Sequence, residues 1–298
     1  MEKSNIKIGW IGLGVMGKPL CGFLLQNGYD VSITARDKSK VEELIEKGAK
    51  YLSGEELAKT CDIIFLMVGA PKDVKEVIFE KPGLINIMKE GGIIVDHTTS
   101  SPSLAEELYA ECKKKNIHFM DAPVSGADVL AKQGGVSIIA GGDQEIFDKI
   151  NPIISCYSKS QTLMGGAGKG LHAKLFAQIC LANNVAGVIE GMIYGHKAGL
   201  DLEKTFEALK ASGASSVAMN TYMPRILKRD LAPTITVELW MKDLELILEE
   251  SRRLNIVLPA INLIKTFYQA LLANGGAKLG FQALILTLEQ LNGIKHDK

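Results

Sequence analysis

The sequence predicts an α/β fold: a doubly wound, mainly parallel sheet in the first half, then an all-helical domain reached through one long helix. Three observations predict it. Short apolar runs alternate with helical stretches over the first half of the chain, the pattern that builds parallel sheets. The first run, Ile6-Lys7-Ile8-Gly9-Trp10-Ile11, ends directly in Gly12-Leu13-Gly14-Val15-Met16-Gly17. Strand patterns all but vanish after Gly165. The domain boundary is therefore placed between residues 165 and 166, giving domains 1–165 and 166–298.

Taken in order, the apolar residues after Gly17 read as a helix up to Gly28, and Tyr29 to Thr34 as a second strand. Lys38 to Lys47 reads as a helix stopped by Gly48. Cys61 to Val68 and Gly91 to Asp96 are continuous apolar runs, typical of strands buried on both faces. Ser103 to Lys115 reads as a helix, and Ile117 to Asp121 and Val136 to Gly142 as strands of the same sheet. The long helix runs from Gly168 to Lys197, and 201–211, 215–229, 236–254, 258–274 and 278–292 follow as helices.

Composition bounds the function. The 298 residues are 47% apolar, and 34 basic residues balance 34 acidic ones, leaving no electrostatic footprint for nucleic acid or an anionic membrane. No apolar stretch reaches the roughly eighteen uninterrupted residues of a bilayer span. The five cysteines are scattered without a C-x-x-C pair, so neither a metal site nor a disulfide framework is expected, and the expected location is cytoplasmic. The helices of the second half could support a homo-oligomer.

A G-x-G-x-x-G between a strand and a helix, with a second strand beyond, is a dinucleotide-binding fingerprint. Gly12 permits the tight turn, Gly14 lets the backbone approach a pyrophosphate, and Gly17 lets the helix pack closely. Leu13, Val15 and Met16 complete this Rossmann-like loop, and the helix N-terminus faces the phosphates. Three strand-end segments are further candidates for cofactor or substrate loops: Met67 to Pro71, including Val68; Thr98 to Pro102; and Asp121 to Ala127. At the end of the second strand an acid would bond the ribose of NAD and an arginine would accept a 2′-phosphate. Here Ala35 precedes Arg36, and Arg36, Lys38 and Ser39 could surround a phosphate, with Asp37 alternatively a plain helix cap. NADP(H) is favoured over NAD(H).

At the start of the long helix, Lys174 and Gln178 are four residues apart and share a face that Leu181 and Val185 continue. A lysine on an apolar stripe has its charged form disfavoured, which suits acid–base chemistry. It could equally snorkel out of the interface. His172, two residues from Lys174, points elsewhere and reads as structural rather than catalytic; His97 and His196 show no partner in the sequence.

Four ordered motifs span the chain: Gly12 to Pro19, Asp121-Ala122-Pro123-Val124-Ser125-Gly126, the G-x-G-x-x-x-K of Gly168 to Lys174, and Lys242-Asp243-Leu244. Together they resemble the β-hydroxyacid dehydrogenase family, the 3-hydroxyisobutyrate dehydrogenase-like enzymes. The resemblance implies reversible NAD(P)-linked oxidation of a 3-hydroxy acid or reduction of the matching semialdehyde. It implies Lys174 as general acid and base, and Ser125 with the N–H groups of Gly126 and Ala127 as the holder of a substrate carboxylate. Thr99 and Lys242 become cofactor contacts, and Gln178 faces the substrate. The chain departs from the family pattern where Ala177-Gln178 replaces an asparagine, where Ala127 replaces a glycine, and where Asp128-Val129-Leu130 lacks another. Two other readings are an imine reductase and a non-catalytic nucleotide-binding protein. Both usually lack the lysine, so Lys174 argues for the dehydrogenase.

Overall fold

The computed structural model describes residues 6–80, 83–126 and 128–294. The chain forms two compact units, Met1–Lys174 and Leu175–Lys298, so the division falls inside the helix Lys169–Lys197.

The first unit is built on a six-stranded parallel sheet in the order β3-β2-β1-β4-β5-β6. The strands are β1 (Lys7–Ile11), β2 (Asp30–Thr34), β3 (Lys50–Tyr51), β4 (Ile63–Leu66), β5 (Ile93–Asp96) and β6 (His118–Asp121). Every residue of β4 and β5 is buried, as their unbroken apolar runs demand once helices cover both faces. Alternate residues of β4 feed opposite cores: Ile63 and Phe65 join Trp10 and Leu20, whereas Ile64 and Leu66 join Leu57 and Ile78. The strand order switches between β1 and β4, and a doubly wound sheet opens its ligand crevice beyond the carboxyl ends at that point.

The single expected sheet is two. Val136–Ala140 (β8) does not extend the main sheet; it pairs antiparallel with β7 (Val124–Ser125) and parallel with β9 (Ser158–Leu163). The chain turns at Ala122-Pro123, and Asp121 exchanges backbone hydrogen bonds with Gly141 in an isolated antiparallel bridge, which diverts β8 from the parallel ladder. The expected helix Lys38 to Lys47 is also divided, into a 3₁₀ turn Lys38–Val41 and a short α-helix Glu42–Glu46, because Val41 leaves helical dihedrals. The helix Gly54–Thr60, unexpected from periodicity, starts at a capping box of Ser53 and Glu56.

The second unit packs helices Leu202–Leu209, Val217–Leu227, Val237–Arg253, Pro259–Ala273 and Leu284–Leu291 around Trp240, Tyr268 and Phe281. The last helix starts later than expected: Gly276–Lys278 and Phe281–Ala283 form 3₁₀ turns around Gly280. The 29-residue helix Lys169–Lys197 is, against the sequence expectation, long and apolar enough by length and composition to cross a bilayer. Its stripe Ala182, Val185, Ile189 and Met192 lies in the core of the helical unit, the role of a core helix.

Candidate active site

The nucleotide loop is held by backbone contacts that only glycine allows. Gly12 has φ +96°, and a Cβ there would stand 2.1 Å from the Met67 carbonyl oxygen. A Cβ on Gly17 would stand 2.1 Å from the Gly12 oxygen. Gly14 faces open space, with nothing within 4 Å of where its Cβ would be. The helix Gly17–Gln26 begins at Met16 without a side-chain cap; its Lys18 N–H bonds Gly14 O at 3.0 Å, and Pro19 brings no N–H to the first turn. Val15 at the loop tip is 72% exposed. These residues fit a pyrophosphate: a backbone approachable at Gly14 and the positive end of a helix that carries no side-chain cap. Beside them the Met67 N–H bonds Ile11 O at 2.9 Å, and the Val68 N–H bonds Thr98 Oγ1 at 3.0 Å, so Met67 and Val68 are tied to the ends of β1 and β5. Thr99, the sequence-predicted contact, is half-buried one residue further on.

At the end of β2, Arg36 is exposed. Ser39 is not available to a phosphate as expected: its N–H and hydroxyl both donate to Asp37 Oδ1, at 3.1 and 2.7 Å. Asp37 is thus the cap of the 3₁₀ turn. Lys38 leans over the Tyr51 ring, 5.3 Å from its centroid.

His97, without a visible partner in the sequence, has two. It is fully buried at the end of β5, with Nδ1 2.6 Å from Ala122 O and Nε2 2.8 Å from the Tyr157 hydroxyl. The carbonyl can only accept, so Nδ1 carries the proton and Nε2 accepts from Tyr157. Phe65 stacks on the imidazole, and Trp10 stacks on Phe65 while donating from Nε1 to Gly12 O at 3.2 Å. This network stands behind the nucleotide loop. Burial lowers the His97 pKa from 6.5 to about 4. The unfolded chain therefore takes up this proton near pH 6.5 and the folded one near pH 4, and stability falls as pH drops through that window, by about 3 kcal/mol from this group. Asp121, raised by burial from 3.8 to about 6, acts in the opposite sense between those values. A His97→Gln variant isolates the first contribution. Its urea-unfolding free energy should gain on the wild type by about 3 kcal/mol between pH 7 and pH 4, and a difference independent of pH would rule this account out.

The substrate-loop residues lie beyond β6. Ser125 ends β7, half-buried, in register with Ser137 of β8. Gly126 follows with φ +136°, a backbone that glycine alone adopts readily. Ala127 lies outside the described residues. Asp128-Val129-Leu130, the stretch without the family's glycine, opens the short helix Asp128–Lys132, and Leu130 Cδ1 packs 3.3 Å from where a Gly126 Cβ would be.

Lys174 is 8% exposed and Gln178 4% exposed, one turn apart on the same helix. Gln178 does not simply reach further than an asparagine: its Nε2 donates to Asp243 Oδ2 at 2.5 Å. Lys242, half-buried, brings Nζ within 3.2 Å of Asp243 Oδ1, an ion pair without hydrogen-bond geometry. Sequence reasoning assigned Lys242 and passed over Asp243. The signal was present, since Trp240, Asp243, Leu244 and Ile247 recur at helical spacing and place the acid on a buried stripe.

Comparisons with known proteins agree with this architecture. Residues 7–166 match the family described as the NAD binding domain of 6-phosphogluconate dehydrogenase, and residues 168–288 the one described as the NAD-binding of NADP-dependent 3-hydroxyisobutyrate dehydrogenase. The chain is 44% identical over 293 residues to the probable 3-hydroxyisobutyrate dehydrogenase-like 1, mitochondrial, of Arabidopsis thaliana, covering 98% of this chain and 87% of that one. It is 33% identical over 285 residues to the 2-hydroxy-3-oxopropionate reductase of Escherichia coli (strain K12), covering 95% and 97%. The structure of Psf3 in complex with NADP+ and 2-OPP is similar at a TM-score of 0.84 and 26% identity, covering 94% of this chain and 99% of that one. The nucleotide loop, the lysine helix and these matches along nearly the whole length make the chain a member of the β-hydroxyacid dehydrogenase family, an NAD(P)-dependent oxidoreductase.

Proposed function

We propose that the enzyme interconverts a short semialdehyde carboxylate and its 3-hydroxy acid, prefers NADP(H), and uses Lys174 as the proton donor and acceptor. The observation that carries the reading is Lys174 itself: a buried lysine on the inner stripe of its helix, one turn before a buried Gln178 that is fixed by Asp243. When bound, the nicotinamide supplies or accepts the hydride. The protein side of the reaction is the proton. Lys174 Nζ gives a proton to the carbonyl oxygen in reduction and takes it from the hydroxyl in oxidation. Gln178, with one amide hydrogen committed to Asp243, keeps a second N–H and a carbonyl oxygen to orient that group. Ser125 and the backbone at Gly126 hold the carboxylate. Binding both ends of a small molecule orients its carbonyl, a large part of such catalysis.

The 2-hydroxy-3-oxopropionate reductase relative reduces a short substrate by its name, which supports the substrate class. The test is kcat/KM for methylmalonate, succinic and tartronate semialdehydes beside uncharged aldehydes of equal length, with both cofactors. We expect the acids to be preferred; a preference for the uncharged set would overturn the assignment of the Ser125 loop.

The cofactor preference rests on exposed Arg36 at the end of β2, where an acid would serve NAD, and is supported by the NADP+ complex of Psf3. A guanidinium–phosphate contact is a charge-assisted pair. Arg36→Ala should therefore raise KM for NADPH by at least about tenfold and leave KM for NADH within about twofold. Steady-state kinetics with each cofactor decide it; equal effects on both would remove Arg36 from 2′-phosphate recognition.

A further inference from the structure

We propose that Asp121 is a positioning residue that sets the orientation of the Lys174 helix from the strand leading into the Ser125 loop. Asp121 is the last residue of β6 and has no exposed surface. Its Oδ1 accepts the Gly168 N–H at 2.7 Å and its Oδ2 the Leu171 N–H at 2.8 Å. Helices usually draw their cap from the residue just ahead of the first turn. Gly165-Gly166-Ala167-Gly168 carries no capping side chain; the cap arrives from 47 residues earlier in the chain.

The surroundings are built around this carboxylate. A Cβ on Gly141 would stand 2.6 Å from Oδ1, and a Cβ on Gly170 would stand 2.4 Å from Ile139 O and 2.8 Å from Oδ2. Both glycines let backbone close on the acid. The Asp121 main chain is pinned as well, its N–H to Gly141 O at 3.1 Å and its carbonyl to the Gly141 N–H at 2.7 Å. Ser125 follows four residues after Asp121, and Lys174 follows three residues after Leu171. One buried side chain thereby joins the start of the carboxylate loop to the turn preceding the lysine. A carboxylate serves this junction as an amide cannot: both of its oxygens accept, and its negative charge meets the positive end of the helix. A displacement near 1 Å at reacting groups costs on the order of a hundredfold in rate, so a slackened junction is read in turnover before it is read in binding.

The inference rests on the proposed role of Lys174, and the experiment separates the two. Asp121→Asn replaces one acceptor with a donor facing an N–H. Gly170→Ala prises the helix end away while leaving the acid in place. Each variant, the double variant and Lys174→Ala are measured for kcat, KM, cofactor Kd by NADPH fluorescence, and melting temperature. Asp121→Asn and Gly170→Ala should each lower kcat at least about tenfold with cofactor Kd within about twofold, and the double variant should be no worse than the poorer single one. Unchanged kcat in folded Asp121→Asn, with Lys174→Ala inactive, overturns this inference alone. Normal turnover in Lys174→Ala overturns the role of Lys174 instead. If Asp121→Asn does not fold, Gly170→Ala decides; failure of both to fold, or a kcat loss matched by lost cofactor affinity, assigns Asp121 to stability and overturns the proposal.

Discussion

Lys174→Ala is expected to lower kcat by at least about a hundredfold, the usual contribution of a positioned general acid or base. Cofactor affinity and the melting temperature should change little. The lysine is buried, yet its removal leaves the N-terminal anchoring of its helix intact, because Gly168 and Leu171 remain bound to Asp121. Its neighbour Gln178 remains bound to Asp243. The loss should therefore appear in kcat and kcat/KM together, as for a group that acts in the transition state. Lys174→Arg should not restore activity, since a guanidinium does not release its proton in the working pH range. Steady-state kinetics on folded variants provide the check, and near-normal turnover in Lys174→Ala would remove it from the mechanism.

The second large effect is expected at Gly12. In Gly12→Ala the new methyl would sit 2.1 Å from the Met67 oxygen at a backbone angle of φ +96°. The obstacle is main chain, and Met67 is itself bound to Ile11 O at 2.9 Å, so neither partner can step aside without opening the end of the sheet. Cofactor Kd should rise at least about a hundredfold, and the loss of stability should reach several kcal/mol, the cost of overpacking compounded by a strained φ. Gly14→Ala is the informative contrast. Apart from its chain neighbours, nothing among the described residues lies within 4 Å of its Cβ, so it should fold like the wild type and lose affinity only. Thermal melts and NADPH titration of both variants test this; equal melting temperatures would show that the close approach at Gly12 is not needed by the fold.

The parts of the fold legible in the sequence are those written locally. The strand–glycine–helix start fixes β1, its loop and the first helix within twenty residues, and the unbroken runs of β4 and β5 announce their burial on both faces. What escaped depends on distant partners. β9 reads Ser-Lys-Ser-Gln-Thr-Leu, polar at nearly every position, and becomes a strand only by pairing with β8. His97 looked idle because its partners are Ala122 and Tyr157, 25 and 60 residues away. The same holds at the candidate site. Lys174 and Gln178 were visible as one helical face, whereas the bond from Gln178 to Asp243 spans 65 residues and no local pattern encodes it. Asp121 was noticed as the first letter of a motif, but its work as a remote helix cap is a property of the folded chain.

The chain has two tryptophans, Trp10 and Trp240, and each is fully buried in the core of a different unit. That distribution makes the protein its own pair of optical probes. Trp10 donates to the carbonyl of Gly12, so its emission reports on the packing directly beneath the nucleotide loop. Trp240 lies among Tyr268 and Phe281 and should register the helical unit alone. A Trp240→Phe protein would carry a single fluorophore under the nucleotide loop, and a Trp10→Phe protein a single one in the helices, allowing each unit's melting to be followed without label or partner.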